Sequence, residues 1–177
     1  MEDFSLHILD IAENSIRAGA TIIKIRIEED IDKNLLLITI SDNGKGMDEE
    51  MLKKATDPFF TTKGTRRIGL GLPLLAQAAR ESMGDFRINS EKGKGTVIEA
   101  RFQYNHIDRK PIGDMTQTLI VLITANPDID FLYEQINNRG HHVIDTREIK
   151  KSTGNEPVSL QKLIKIIRNT LDASMHD

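Results

Sequence analysis

A mixed α+β fold is what this sequence predicts, and three observations predict it. Apolar residues Ile8, Leu9, Ile11, Ala12 and Ile16 recur at helical spacing. Residues 23–27 alternate apolar and polar, as a strand with one buried face does. Residues 85–103, "DFRINSEKGKGTVIEARFQ", read as two strands joined at a Gly-Lys-Gly turn. The chain has 177 residues, enough for one ordinary domain with a hydrophobic core.

In chain order, a helix is expected over 3–18 with Gly19 as its stop. A strand follows in "TIIKIRIEED" and a second in "KNLLLITISDNG", whose near-continuous apolar run suggests burial on both faces. Residues 47–68 mix charge, Pro, Thr and Gly without a lasting period, with one helical turn at "DEEMLKKA". Connections this long are uncommon in compact domains unless they are functional. "LGLPLLAQAARESMG" reads as a helix stopped by Gly84, with Pro73 near its start, where a missing N–H costs least. After the hairpin, 105–117 is polar and reads as a connector. Then come a strand in "TLIVLIT", a helix in "DIDFLYEQINNRG", a strand in "HHVIDTREI" and a last amphipathic helix in "SLQKLIKIIRNTLD".

Composition narrows the function. Apolar residues make up 38% and charged residues 29%, as in ordinary globular proteins. A net charge of -3 argues against coating nucleic acid or a polybasic membrane role. The sequence has no cysteine, which excludes disulfides, thiolate metal sites and thiol catalysis. The acidic start and the lack of a long apolar run lead us to expect a cytoplasmic protein without a membrane span. The five histidines show no metal-ligand spacing.

Glycine and cationic residues in "TTKGTRRIGLGL" (61–72) suggest a phosphate loop, but the two common kinds do not fit. No glycine precedes "GKGT" at the P-loop distance, and "GLGLPL" and "GKGMDE" lack the third glycine of the dinucleotide fingerprint. Four other segments stand in order. The first helix carries Asp10, Asn14 and Arg17 at i, i+4 and i+7, with Glu13 between. At 100° per residue these fall within about one third of its circumference. The second strand ends in Asp42, followed at once by "NGKGM"; "GLGL" opens a helix; and "GKGT" turns into a strand.

These segments resemble the ATP-binding motifs of the gyrase, chaperone, histidine kinase and MutL (GHKL) superfamily over about residues 1–104. "AENSIRAGAT" is similar to the asparagine box, especially its MutL form. "DNGKGM" matches the Asp-x-Gly-x-Gly box, "DPFFTTKG" and "GLGL" resemble the phenylalanine and second glycine boxes of histidine kinases, and "GKGT" matches the final Gly-Thr box. The resemblance implies a two-layer α/β sandwich (the Bergerat fold), a mixed sheet with helices on one face. Residues 105–117 would connect this ATP-binding domain to a C-terminal α/β extension, 118–177, packed on the same sheet.

Site roles follow from the same resemblance. Asp42 would accept from the adenine amino group, with Gly44 and Gly46 beside the base and ribose and Met47 over the base. Asn14 would hold Mg²⁺ bridging the ATP phosphates, and Arg17 would reach a phosphate. Gly69, Leu70, Gly71 and Leu72 would present backbone N–H groups to the phosphates, with Lys63, Arg66 and Arg67 in a preceding lid and Phe59 and Phe60 anchoring it. Histidine kinases have a further glycine where this chain has Arg67. Thr96 would bond a carboxylate or water near adenine. ATP-hydrolysing members carry Glu four residues before the asparagine. Here it is Asp10, shorter by one methylene, and so either a weakened general base or a residue acting behind the site.

Only 13 residues precede Asn14, so no upstream phosphoacceptor segment is expected within this chain. Three functions follow: an ATP-binding regulatory protein with slow hydrolysis or ATP-driven switching, a protein kinase acting in trans as anti-sigma-type serine kinases do, or a non-catalytic nucleotide sensor in a larger complex. The connector "HIDRKPIGD" resembles small ATP-binding proteins associated with redox or hydrogenase systems. A protein partner is expected at the lid or the extension, and a homodimer is compatible with the sequence.

Overall fold

Apolar periodicity places the first helix across a sheet. A computed structural model describes residues 2–55, 57, 70–154 and 158–172. Helix α1 (Phe4–Arg17) begins at Asp3, whose carboxylate accepts from the Leu6 N–H, and buries Phe4, Ile8, Ile11 and Ala12. Each large apolar side chain removed from water this way contributes about 2 kcal/mol. The helix closes at Gly19, with φ +77, through N–H bonds from Gly19 to Ile16 O and from Ala20 to Ser15 O. This left-handed ending satisfies two carbonyls that the helix leaves over.

Strands β1 (Ile22–Asp30) and β2 (Leu35–Asp42) pair antiparallel, with Ile23 opposite Asp42. Helix α2 (Glu49–Lys54) is short, and α3 (Gly71–Glu81) follows the segment outside the described residues. The hairpin of β3 (Asp85–Glu91) and β4 (Gly95–Gln103) adds β4 to β2. Helix α4 (Met115–Ala125), strands β5 (Asp130–Asn137) and β6 (Gly140–Asp145), α5 (Thr146–Ser152) and α6 (Leu160–Asp172) complete the chain. The six strands form one sheet in the order β3-β4-β2-β1-β5-β6. Among the described residues, its only parallel pair is β1 with β5.

Registers align the core on one face. Ile25 stands beside Ile40 and Tyr133, Ile40 beside Ile98, and Tyr133 beside Ile144, all buried. The helices cover this face. The opposite face carries Lys24, Arg26, Thr39, Glu99 and Arg101. The mixed α+β sandwich is therefore as predicted, but the expectation that β2 is buried on both faces is not. Only Leu36, Ile38 and Ile40 are buried there, while Leu35 and Leu37 lie on the open face.

Three C-terminal expectations are overturned. "TLIVLIT" is not a strand but most of α4, which starts at Met115, inside the stretch read as connector. Asp114 caps it by accepting from Gln117 N–H. Packing against α1 and α6 buries so much of its circumference that no helical stripe is left in the sequence. "DIDFLYEQINNRG" is not a helix. Phe131 and Tyr133 alternate inward on β5, and Gly140 ends a hairpin turn rather than a helix. "HHVIDTREI" is a strand only to Asp145, whose carboxylate accepts from Arg147 N–H and starts α5.

The end of α3 differs from expectation in detail. Met83, not Gly84, takes the left-handed conformation, with φ +51, and the Gly84 N–H bonds Ala79 O. Gly84 is required for another reason: a Cβ there would overlap the Arg101 carbonyl. Met83→Gly should therefore stabilise the protein by about 1 kcal/mol, since a side chain in this region is disfavoured by that order. Gly84→Ala should destabilise it by roughly 3 kcal/mol through overpacking. Urea midpoints of the two variants check both signs.

Candidate functional site

Four elements converge at the end of the sheet where β1 begins. The β2–β4 register sets Asp42 directly opposite Thr96, and both residues continue the rows that face the helices. From α1, the Ser15 hydroxyl donates to Asp42 Oδ2 at 2.6 Å, and the Gly44 N–H donates to Oδ1 at 2.8 Å. Asp42 is thus oriented by two donors and keeps acceptor capacity on both oxygens, since a carboxylate offers about four lone-pair sites.

The turn after Asp42 is fastened on all sides. Asn43 Oδ1 accepts from the Thr21 and Ile22 N–H groups, and Lys45 N–H bonds Ala18 O. Gly46 has φ +65, and a Cβ on it would overlap the Glu91 carbonyl; a Cβ on Gly95, with φ +96, would overlap that of Asp42. These two glycines are accounted for by backbone packing. A Cβ on Gly44 would come 3.0 Å from both Ala18 O and Asp42 Oδ1. Met47 packs at the edge of the core and donates its N–H to the Ser90 hydroxyl at 2.8 Å. That hydroxyl also pairs with Thr96 Oγ1 at 2.8 Å. Thr96 is thus beside Asp42 in register, with its hydroxyl engaged by Ser90.

On α1, Asn14 Oδ1 accepts from the Arg17 guanidinium at 2.6 Å, while its buried Nδ2 has no hydrogen-bond partner. Arg17 also lies 4.0 Å from Glu13 Oε2, an exposed pair worth little by itself. Asp10 Oδ2 accepts the Gly71 N–H at 2.7 Å, bringing α1 against the start of α3. Leu70 is half exposed, and Leu72 is buried in the core. Lys63, Arg66, Arg67 and Gly69, with Phe59 and Phe60, lie outside the described residues.

Ser15 and Ser90 were not singled out from sequence. Ser15 carried a signal, since helical spacing puts it on the buried face with Ile8 and Ile11, where a hydroxyl needs a partner. Ser90 carried none, because only pairing sets it beside Thr96. A cleft of about 950 Å³ opens at the other end of the sheet, walled by Glu29, Tyr104, Asp114, Asn137, Arg139 and Arg168. Burial raises the Glu29 carboxyl above its ordinary range, against the pull of Arg109. No residue from the ATP-like motifs lines it, so its volume does not make it the site.

The arrangement has counterparts. Residues 3–106 match the family model of histidine kinase-, DNA gyrase B- and HSP90-like ATPases. The chain belongs to this family. Among curated relatives, it is 40% identical over 79 residues to a putative sensor protein of Shewanella frigidimarina, covering 44% of this chain and 12% of that one. It is 43% identical over 68 residues to sporulation kinase E of Bacillus subtilis, covering 38% of this chain and 9% of the relative. A putative NtrY-like sensor histidine kinase of Rickettsia conorii is 30% identical over 105 residues, covering 59% of this chain and 17% of that one. The match therefore spans less than a fifth of each relative's length.

Solved structures extend the likeness in fold. The N-terminal domain of a DNA repair protein superposes with a TM-score of 0.56 at 17% identity, covering 92% of this chain and 55% of that one. The Aquifex aeolicus MutL ATPase domain complexed with ADP gives 0.51 at 15% identity, covering 96% and 70%. The family model thus ends at residue 106, whereas the fold likeness covers 92% and 96% of the chain. Among the described residues, no helix is long and apolar enough to cross a membrane.

Two predictions follow from this geometry. Ser15→Ala removes one donor from Asp42 and should cost about 1 to 2 kcal/mol of stability by urea unfolding. His7, fully buried on α1, has its pKa pushed down to about 4, by burial first and by Lys110 next. The unfolded chain protonates this imidazole near 6.5, so stability is complete above that pH and falls as pH drops toward 4. The loss at pH 4.5 should be roughly 2 to 3 kcal/mol. Comparing the pH dependence of unfolding in wild type and His7→Gln isolates it, because the variant should lack this component.

Proposed function

We propose that this chain is an ATP-binding regulatory protein that takes Mg-ATP at the Asp42 end of the sheet and switches partner contacts with nucleotide state. The observation that carries the reading is Asp42. It is a carboxylate held by Ser15 and the Gly44 N–H, at the position the family motif reserves for adenine. Such an acceptor binds the exocyclic amino group of adenine and is left unpaired by a base lacking that donor, which gives discrimination of a few kcal/mol.

The metal fits the same face of α1. Asn14 offers a neutral oxygen, and its buried unpartnered amide lies where a ligand group would complete it. Arg17 now bonds that oxygen, and in this reading Asn14 would hold the metal while the guanidinium would serve a phosphate. Mg²⁺ would neutralise phosphate charge. The Gly71 N–H expected at the phosphates is held by Asp10, so the positive end of α3 and the cationic segment with Lys63, Arg66 and Arg67 would add to it instead. A second reading, phosphoryl transfer to a protein partner, draws on the relatives named as kinases. In either case the C-terminal α/β extension is the proposed partner surface.

Calorimetric titration with Mg-ATP tests the site. Asp42→Asn should weaken ATP at least about 30-fold, the equivalent of roughly 2 kcal/mol. Asn14→Ala should remove the dependence of ATP affinity on Mg²⁺. Wild-type affinity in Asp42→Asn, or equal affinity for ATP and GTP in the native chain, would refute the adenine assignment. Radiolabelled γ-phosphate appearing on a partner would decide for transfer over switching.

A further inference from the structure

We infer that Asp10 is a positioning residue, which ties the nucleotide-site helix to the phosphate-facing start of α3, and not the base that activates water. The inference rests on the nucleotide site proposed above.

Three observations meet at Gly71. First, α3 has no side-chain cap of its own, because its N-cap residue is Leu70. A helix that starts this way leaves its first N–H groups without partners. Second, the Gly71 N–H is taken by Asp10 Oδ2, 61 residues away in sequence and on another helix. This is what an N-cap carboxylate does, supplied here from α1. Third, the approach is close: a Cβ on Gly71 would overlap Asp10 Oδ2 and lie 3.1 Å from both Asp10 Cβ and Cγ. His7, one turn earlier on α1, is buried beside the same Gly71 backbone, whose approach partly offsets the burial that lowers its pKa. Among the described residues, Asp10 is therefore the group that holds the first N–H of α3.

This contact explains the shorter side chain. Glu would insert a methylene between α1 and a Gly71 N–H that Asp10 already reaches at 2.7 Å, so the longer side chain would have to fold back or α3 move outward. Asp fits the gap, and Gly71 fits its far side. The bond to Gly71 holds the carboxylate against the start of α3, so its orientation is set by the helix and not by a water. Glu13, the neighbouring acid, is exposed and drawn toward Arg17.

The test uses Asp10→Asn, Asp10→Ala and Gly71→Ala in the full chain. Hydrogen exchange of the α3 first turn is read without nucleotide, Mg-ATP affinity by calorimetry, and phosphate release by a coupled assay. Asn keeps an acceptor oxygen at the same reach. A positioning role predicts native-like exchange protection in Asp10→Asn and loss of protection in both alanine variants. It also predicts that Asp10→Ala and Gly71→Ala weaken Mg-ATP roughly tenfold, the size of a lost cap, while Asp10→Asn restores most of the affinity. If instead Asp10→Asn and Asp10→Ala bind Mg-ATP equally and both abolish phosphate release, Asp10 is the base and the inference falls. Native exchange in Asp10→Ala would also overturn it. The exchange readout needs no ligand, so it stands even if the native chain binds no ATP, an outcome that would refute the proposed function instead.

Discussion

The placement of α1 on the sheet is the constraint on which the rest depends. Its apolar stripe of Phe4, Ile8, Ile11 and Ala12 presses on the core, so its polar edge necessarily faces along the sheet toward Asp42. Hydrogen bonds at both ends hold the register: Phe4 and Ser5 N–H groups bond the carbonyls of Pro111 and Ile112, and Ser15 bonds Asp42. A shift of α1 by one residue would rotate Asp10, Asn14 and Ser15 away together, because side chains step 100° per residue. The polar edge is useful only because the apolar face is immobile.

The sheet extends this logic past the motifs. β5 enters in parallel beside β1, and a parallel neighbour requires a crossover from one end of the sheet to the other. The connector and α4 supply it, and in doing so 111–113 clamp the first turn of α1. A Cβ on Gly113 would overlap Asp3 and Ser5, which shows how tightly this clamp is drawn. The C-terminal segment therefore shares a core with α1, through α4 packed on it, and is not a loose appendage.

Much of the first hundred residues was legible because local signals and tertiary context agree there. α1 is amphipathic with a cap at Asp3 and a glycine stop, β1 alternates, and the β3–β4 turn carries Gly93 and Gly95 at positive φ. Beyond residue 117 they disagree. α4 is rich in β-branched residues and apolar on most sides, which locally favours a strand. It is helical because Asp114 starts it and because α1, α6 and the common core cover it. β5 carries helix-compatible Leu, Glu and Gln, yet it is a strand because β1 offers an unpaired edge. Propensity is a weak prior, and burial overrides it.

The sequence by itself determined the family, the class of fold and the order of Asn14, Asp42, Gly71 and Thr96, because these rest on residue type and spacing. Only the tertiary structure decided what those residues touch. It set Ser15 on Asp42, Ser90 on Thr96 and Asp10 on Gly71, contacts between residues that sequence separation hides. The physical reason is that a hydrogen bond forms at about 3 Å in space, whatever the distance along the chain. A motif can state which groups are present, and packing alone determines which of them meet.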